Sequence, residues 1–223
     1  MIQVTHLAKA YAGIPAVSGL TFHVAPGQIL ALTGSNGAGK STTLRALAGA
    51  CDATSGTVSI DGLDLQRDSL AAKQIVAYVP DSPEVFPDLT VQQHLEFTAS
   101  VYGIVDSAPR IESLLSRFAI WDKRDSLANT LSRGMRQKMM LSCACLQSPK
   151  VLLLDEPLSG LDPHSIQLVA ETIRGFAAEG GAVVVSSHYL SVVERISTHV
   201  LLLDHGRQRF FGSMDQLRTE HSH

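Results

Sequence analysis

The segment GSNGAGKS, from Gly34 to Ser41, joins spaced glycines to a Lys-Ser pair, a combination suited to holding phosphate. It fits G-x-x-x-x-G-K-[ST] at every fixed position and lies between an apolar run, QILALTG, and a helical one, KSTTLRALAGA. In that setting the backbone N–H groups of Gly34, Ser35, Asn36, Gly37, Ala38 and Gly39 curl around phosphate oxygens. The helix start adds favourable partial charge. Lys40 is expected to reach the β- and γ-phosphates of a nucleotide and the Ser41 hydroxyl to ligate Mg2+, with Thr42 beside them. A second segment, VLLLDEP from Val151 to Pro157, reads as a buried strand ending in two carboxylates. Asp155 is placed to hold Mg2+, directly or through water. Glu156, one residue on, points differently and suits a general base for an attacking water. His188 closes the apolar run of VVVSSHYL, at the same strand edge, and is a candidate to polarise the γ-phosphate or orient the water.

A third segment, LSRGMRQKMM from Leu131 to Met140, opens like a helix at Ser132 and Gly134. Arg133, Arg136 and Lys138 make that start basic. Nothing near it in the chain needs a positive, donor-rich helix terminus, so the anion it faces must come from elsewhere.

These groups need a scaffold, and the periodicity supplies one. IQVTHLAKAY and LTFHVAPGQILALTG read as strands divided by the Pro26-Gly27 turn, GTVSIDG as another strand, and IVAYVP as a buried strand stopped by Pro80. From residue 81 to 150 helix signals dominate. TVQQHLEFTASVYG begins with a capping box, Thr90 and Gln93, and closes at Gly103. PRIESLLSRFAI puts Ile111, Leu114, Leu115 and Phe118 on one face. SRGMRQKMMLSCACLQSP makes a third helix. Alternation then returns, with a helix capped by Asp162 and opened by Pro163, the strand AVVVSSH, the short helix LSVVERIST, and a hairpin turning near His205-Gly206. The predicted organisation is one domain over 1–223, with a nucleotide-binding core at about 1–80 and 151–223 and a helical part at 81–150.

Composition narrows the function classes. Of 223 residues, 18 are Lys or Arg and 21 Asp or Glu, giving a net charge of −3 that argues against bulk binding to nucleic acid. Three cysteines without a pairing framework suit a reducing compartment, and Cys143 and Cys145 read as small buried hydrophobes rather than metal ligands. The N-terminus shows no secretory leader pattern, and no apolar run approaches the ~20 residues needed to span a bilayer. The tail EHSH is expected to fray, weak metal capture being the other reading.

The order of P-loop, helical insertion, LSRGMRQK, LLLDEP, SGLD and SSH resembles the ATP-binding-cassette ATPases, the nucleotide-binding subunits of ABC transporters, over essentially the whole chain. The resemblance implies an α/β P-loop NTPase fold with a RecA-like core, an N-terminal antiparallel β subdomain and an inserted helical subdomain. It implies hydrolysis of ATP with Mg2+, and it answers the question of the orphan helix start. In this family that helix faces ATP held by a second cassette, so Ser132 and Gly134 would donate to the partner's phosphate. Two cassettes would sandwich two ATP molecules, with Ser159–Asp162 as the loop lining the interface. Tyr11 stands where the family stacks an aromatic on adenine, an ordinary Tyr being the alternative.

Two departures stand out. The common signature is LSGGQ. Here Arg133 and Met135 replace its third and fifth residues, a variant resembling ABC-2-type exporter and Ecs-type cassettes. After YVP the family usually carries Gln, reaching Mg2+ and the attacking water. This chain carries Asp81, shorter and charged, for which a water-bridged metal contact is the open alternative to a direct one. The following segment, SPEVFPDLTVQQHLEF, lies where cassettes dock the coupling helix of an integral membrane permease. Phe86 there, and Tyr102 beyond it, either form an exposed apolar patch or pack inside. The implied place is the cytoplasmic face of the cell membrane, held by that permease, and the implied direction is export. The rival reading is a soluble cassette regulating a protein or nucleic-acid machine. The absence of an N-K-x-D motif weighs against GTP.

Overall fold

The computed structural model describes residues 1–220, so most of the tail EHSH lies outside the described residues. The chain begins with β1 (Ile2–Tyr11) and β2 (Ile14–Val24), then β3 (Ile29–Gly34), which runs through the P-loop into α1 (Lys40–Leu47). Next come β4 (Ser55–Ile60), β5 (Leu63–Asp64), α2 (Ser69–Gln74) and β6 (Val76–Val79). A helical stretch follows: α3 (Val91–Val101), α4 (Ala108–Arg117) and α5 (Arg133–Leu146). The chain then returns to alternation with β7 (Val151–Asp155), α6 (Pro163–Ala178), β8 (Ala182–Ser186) and α7 (Leu190–Ile196). It ends with β9 (His199–Asp204), β10 (Arg207–Ser213) and α8 (Met214–Glu220).

One sheet is antiparallel, in the order β2-β1-β4-β5. The other runs β10-β9-β3-β8-β7-β6 and is parallel except for β10. The parallel strands are buried on both faces, and their period of two assigns alternate residues to two cores. Ala31, Val183, Val185, Leu152 and Leu154 face a core shared with α3, α4, α5 and α6. Leu30, Leu32, Val184, Val151 and Leu153 face a core shared with α1 and the antiparallel sheet. That double burial is why these strands read as unbroken Val-Leu runs.

Turn and cap chemistry set the boundaries. The β9–β10 hairpin turns through His205 and Gly206, both at positive φ, as a two-residue turn of the primed type requires. Asp162 caps α6 by accepting from Ser165 N at 2.9 Å and Ser165 Oγ at 2.7 Å, contacts that hold its carboxyl down to about 2. The predicted capping box of α3 is formed. Thr90 Oγ1 accepts from Gln93 N at 3.2 Å, and Gln93 Oε1 accepts from Thr90 N at 2.9 Å. Thr90→Ala is expected to cost about 1 kcal/mol, read as a loss of about 2–4 °C in Tm for a chain of this size. An unchanged Tm would show that tertiary packing alone fixes the start of α3.

Cys143 is buried, which pushes its thiol up to about 11, and Cys145 is half-buried and also raised by burial. Both are inert packing groups. Two short helices were not predicted. α2 and α8 are six and seven residues long, under two helical turns each.

Candidate functional site

Parallel pairing brings the chemistry to one edge. Leu32 of β3 and Asp155 of β7 both lie level with Ser186 of β8, while Val79 of β6 lies level with Leu154. The carboxyl ends of β3, β6, β7 and β8 therefore deliver the P-loop, Asp81, Asp155 and His188 to the same rim, where ligands bind in open α/β sheets.

At that rim the P-loop turns on Gly39, which caps α1 at φ 100°. A Cβ there would stand 2.8 Å from Ala16 O, so neither the backbone angle nor the space admits a larger residue. The loop is braced from the β9–β10 turn, since Gly206 N donates to Ala38 O at 3.1 Å and Ser18 N donates to Gly206 O at 2.8 Å. Lys40 is half-buried, and its ammonium donates to Gly34 O at 2.8 Å and Ser35 O at 3.0 Å. A cleft of about 300 Å³ opens beside it. Its walls include Asn36, Gly37, Gly39, Lys40, Ser41 and Thr42 on one side, and Asp81, Asp155 and Glu156 on the other.

Asp155 is only 3% exposed, and Ser186 Oγ donates to its Oδ1 at 2.6 Å. That hydroxyl also accepts from Glu156 N at 3.1 Å, so one serine fixes both acids. Sequence reasoning missed Ser186. Its only signal was a small polar residue at the end of an all-Val strand. The Asp155 carboxylate is felt nearby: burial, then this negative charge, pushes the Tyr78 phenol up to about 12.

Glu156 adopts φ 49°, a left-handed conformation that costs a non-glycine residue about 1–2 kcal/mol. The turn swings its carboxylate away from Asp155 and onto His188. Glu156 Oε2 accepts from His188 N at 3.1 Å and lies 2.7 Å from His188 Nδ1.

The donor set suits Mg2+. Among the described residues no cluster of three or more His, Cys, Asp or Glu could hold a metal alone. Mg2+ bound with a nucleotide needs only one or two protein oxygens, the rest coming from phosphate and water, and Ser41 and Asp155 line the same cleft.

Ser132 and Gly134 do not line that cleft. Ser132 caps α5, its Oγ accepting from Met135 N at 3.3 Å. A Cβ on Gly134 would stand 2.6 Å from Gly160 O, so this glycine lets the helix start press against the SGLD loop. Lys138 Nζ, 4.0 Å from Asp162 Oδ2, adds a second tie between them. Arg133 reaches Asp81, Nη2 to Oδ1 2.5 Å. Tyr11 is 42% exposed, with Lys9 Nζ 5.0 Å from its ring centroid and its hydroxyl 3.8 Å from Cys51 Sγ.

Comparison with known proteins decides the family. The family model described as "ABC transporter" matches residues 17–159. The chain belongs to the ABC transporter family. It is 32% identical over 222 residues to the ABC-type transporter ATP-binding protein EcsA of Bacillus subtilis, covering 99% of this chain and 90% of that one. It is 34% identical to the Nod factor export ATP-binding protein I of Paraburkholderia xenovorans, covering 93% of this chain and 69% of the relative. A solved structure of an ATP-binding subunit of an ABC transporter superposes with TM-score 0.94 at 32% identity, covering 100% of this chain and 93% of that one. The cassette is thus an ATP-binding, ATP-hydrolysing transporter subunit with the α/β P-loop fold that the sequence led us to expect. Such subunits work with membrane components, and no helix among the described residues is long and apolar enough to cross a membrane itself.

Proposed function

We propose that this cassette drives an exporter by closing over ATP with a second cassette, and that a separate permease reads out the closure at the cytoplasmic face of the membrane. One domain, 1–223, holds the site, with the signature on its helical part at 81–150. The observation that carries the reading is the position of the signature. The helix start at Ser132 and Gly134 is donor-rich yet lies outside the cleft that holds the chain's own P-loop, Asp155 and Glu156. A second copy presenting that start to the cleft would complete the cradle, a helix N-terminus being a ready anion site.

In this reading the backbone of the P-loop binds the phosphates, and Lys40 exchanges its carbonyl partners for the β- and γ-phosphate oxygens. Ser41 and Asp155 would hold Mg2+, which when bound would neutralise phosphate charge. Ser186 keeps Asp155 oriented. Asp81 lines the same cleft and would reach the metal through a water. His188 holds Glu156 Oε2, which leaves Oε1 to take the proton of the attacking water. Tyr11 stacks on adenine with the ring face opposite Lys9. The names of the relatives, a Nod factor exporter among them, support export as the direction.

The permease contact falls on α3 and its flanks. Phe86 is 53% exposed, and Phe97 and Val101, one helical turn apart on α3, are exposed as well, while Tyr102, 38% exposed, lines a separate cleft with Tyr78 and Met140. The Phe86 and Phe97 rings meet edge to face at 5.3 Å. Buried His94 fixes this ridge. Its Nε2 can only accept from Phe86 N, at 3.0 Å, so its Nδ1 carries the proton donated to Thr90 O at 2.8 Å. An exposed aromatic pair held by a buried histidine is a natural docking surface. Phe86→Asp should shift the native protein from the membrane fraction to the soluble one by at least about tenfold, with ATP binding retained. A wild-type protein found wholly in the soluble fraction would overturn the permease reading and favour the soluble regulatory one.

A further inference from the structure

The start of α5 carries an unusual charge arrangement. A helix N-terminus is positive, so cations there are unfavourable unless an anion joins them. α5 nevertheless places Arg133 at its first position and Arg136 three residues on, with no acid in its first turn. The anion that joins Arg133 is Asp81, 52 residues earlier in the chain, with Nη2 2.5 Å from Oδ1. The aliphatic stem of Arg133 runs beside Gly160, its carbons 3.5–3.9 Å from where a Cβ on that glycine would stand. The side chain therefore lies against the SGLD loop, with its head on Asp81 in the loop that follows β6. Asp81 has a second commitment, since it also lines the nucleotide cleft with Lys40, Asp155 and Glu156.

A guanidinium fork binds a carboxylate or a phosphate in the same planar, charge-assisted manner. Carboxylate and phosphate therefore compete for Arg133. We propose that the Asp81–Arg133 ion pair is a latch. It holds the signature cation off the partner's nucleotide, and it opens when Arg133 exchanges Asp81 for that nucleotide's phosphate and frees Asp81 into its own cleft. The proposal rests on the two-cassette reading above. Arg133 and Asp81 are positioning residues in it, and their side chains are 50% and 43% exposed, so the pair is weak enough to exchange. A neutral residue at either position abolishes the competition, and both charged residues occur together in this chain.

The test uses the full chain in a Glu156→Gln background, where ATP is held without turnover. The dimer dissociation constant is measured by sedimentation or light scattering at saturating Mg-ATP, so that affinity for ATP itself drops out. Asp81→Asn should tighten the dimer by about tenfold, two exposed ion pairs being released per dimer. In an Arg133→Gln background the same Asp81→Asn change should have no effect. In an Arg133→Lys background, which keeps the charge, most of the effect should return.

A gain from Asp81→Asn that persists undiminished without Arg133 would overturn the latch and leave the two-cassette reading standing, because it would place the effect in the cleft of Asp81 itself. Absence of an ATP-dependent dimer in every variant, the latchless ones included, would overturn the two-cassette reading for identical chains and the latch with it. A merely structural pair predicts equal losses of thermal stability from either single change and no coupling in the dimer constant, which would also refute the proposal.

Discussion

Glu156→Gln is expected to bind ATP with ordinary affinity and to lose about 10²–10⁴-fold in kcat, the range assigned to a positioned general base. The substitution is nearly isosteric, and the amide oxygen can still accept from His188 N and Nδ1, which meet Glu156 Oε2 at 3.1 and 2.7 Å. The left-handed backbone at φ 49° costs Gln and Glu alike. Stability should therefore stay within about 0.5 kcal/mol, the usual range for a change that breaks no packing or pairing, and the loss should lie in chemistry alone. Phosphate release measures the rate and equilibrium dialysis the binding. Light scattering with and without Mg-ATP adds the mass, which is expected to double only with nucleotide. Turnover at the wild-type rate would remove Glu156 from the role of base. A monomer that binds ATP and never pairs would mean that closure requires the permease or a different cassette.

What the sequence disclosed follows a physical divide between contiguous and assembled features. The P-loop turn was legible because its eight residues, 34 to 41, are neighbours in the chain, and the place of Asp155 because an apolar strand ending in acid is a local pattern. The helical stretch between β6 and β7 was legible from its caps and its 3.6-residue period. Ser186 was not, because its work depends on β8 lying level with β7, a register no local pattern encodes. Likewise Glu156 and His188 could be set on one strand edge but not joined, since the turn that joins them is a left-handed residue 32 positions away from its partner. The Arg133 and Asp81 departures were each visible as odd residues. That they answer one another became visible only when the helix start and the loop after β6 were seen side by side.

Lys40→Ala is expected to lower kcat by about 10²–10³-fold, the usual cost of removing one donor aimed at charge that develops in the transition state. ATP binding should weaken with it, because in the proposed mechanism Lys40 meets the phosphates in both ground and transition states. The fold should survive. Lys40 opens α1, a helix with no acid in its first turn, where a cation is unfavourable and alanine has the better helix propensity. Against that gain stand the two bonds to Gly34 O and Ser35 O at 2.8 and 3.0 Å, each at a loop surface that water reaches. The two effects nearly cancel, so circular dichroism and Tm should change little while phosphate release collapses. A variant that hydrolyses ATP normally would refute the role of Lys40, and one that unfolds would show that the carbonyl bonds hold the P-loop in shape. Lys40 and Arg133 both open helices that lack an acid in the first turn, and both are met by oxygens of the chain itself: two carbonyls for Lys40, the Asp81 carboxylate for Arg133. Neutral carbonyls are weaker partners for a cation than a carboxylate is. Lys40 should therefore turn to phosphate as soon as ATP enters its own cleft, whereas Arg133 exchanges only when a second nucleotide arrives from outside the chain.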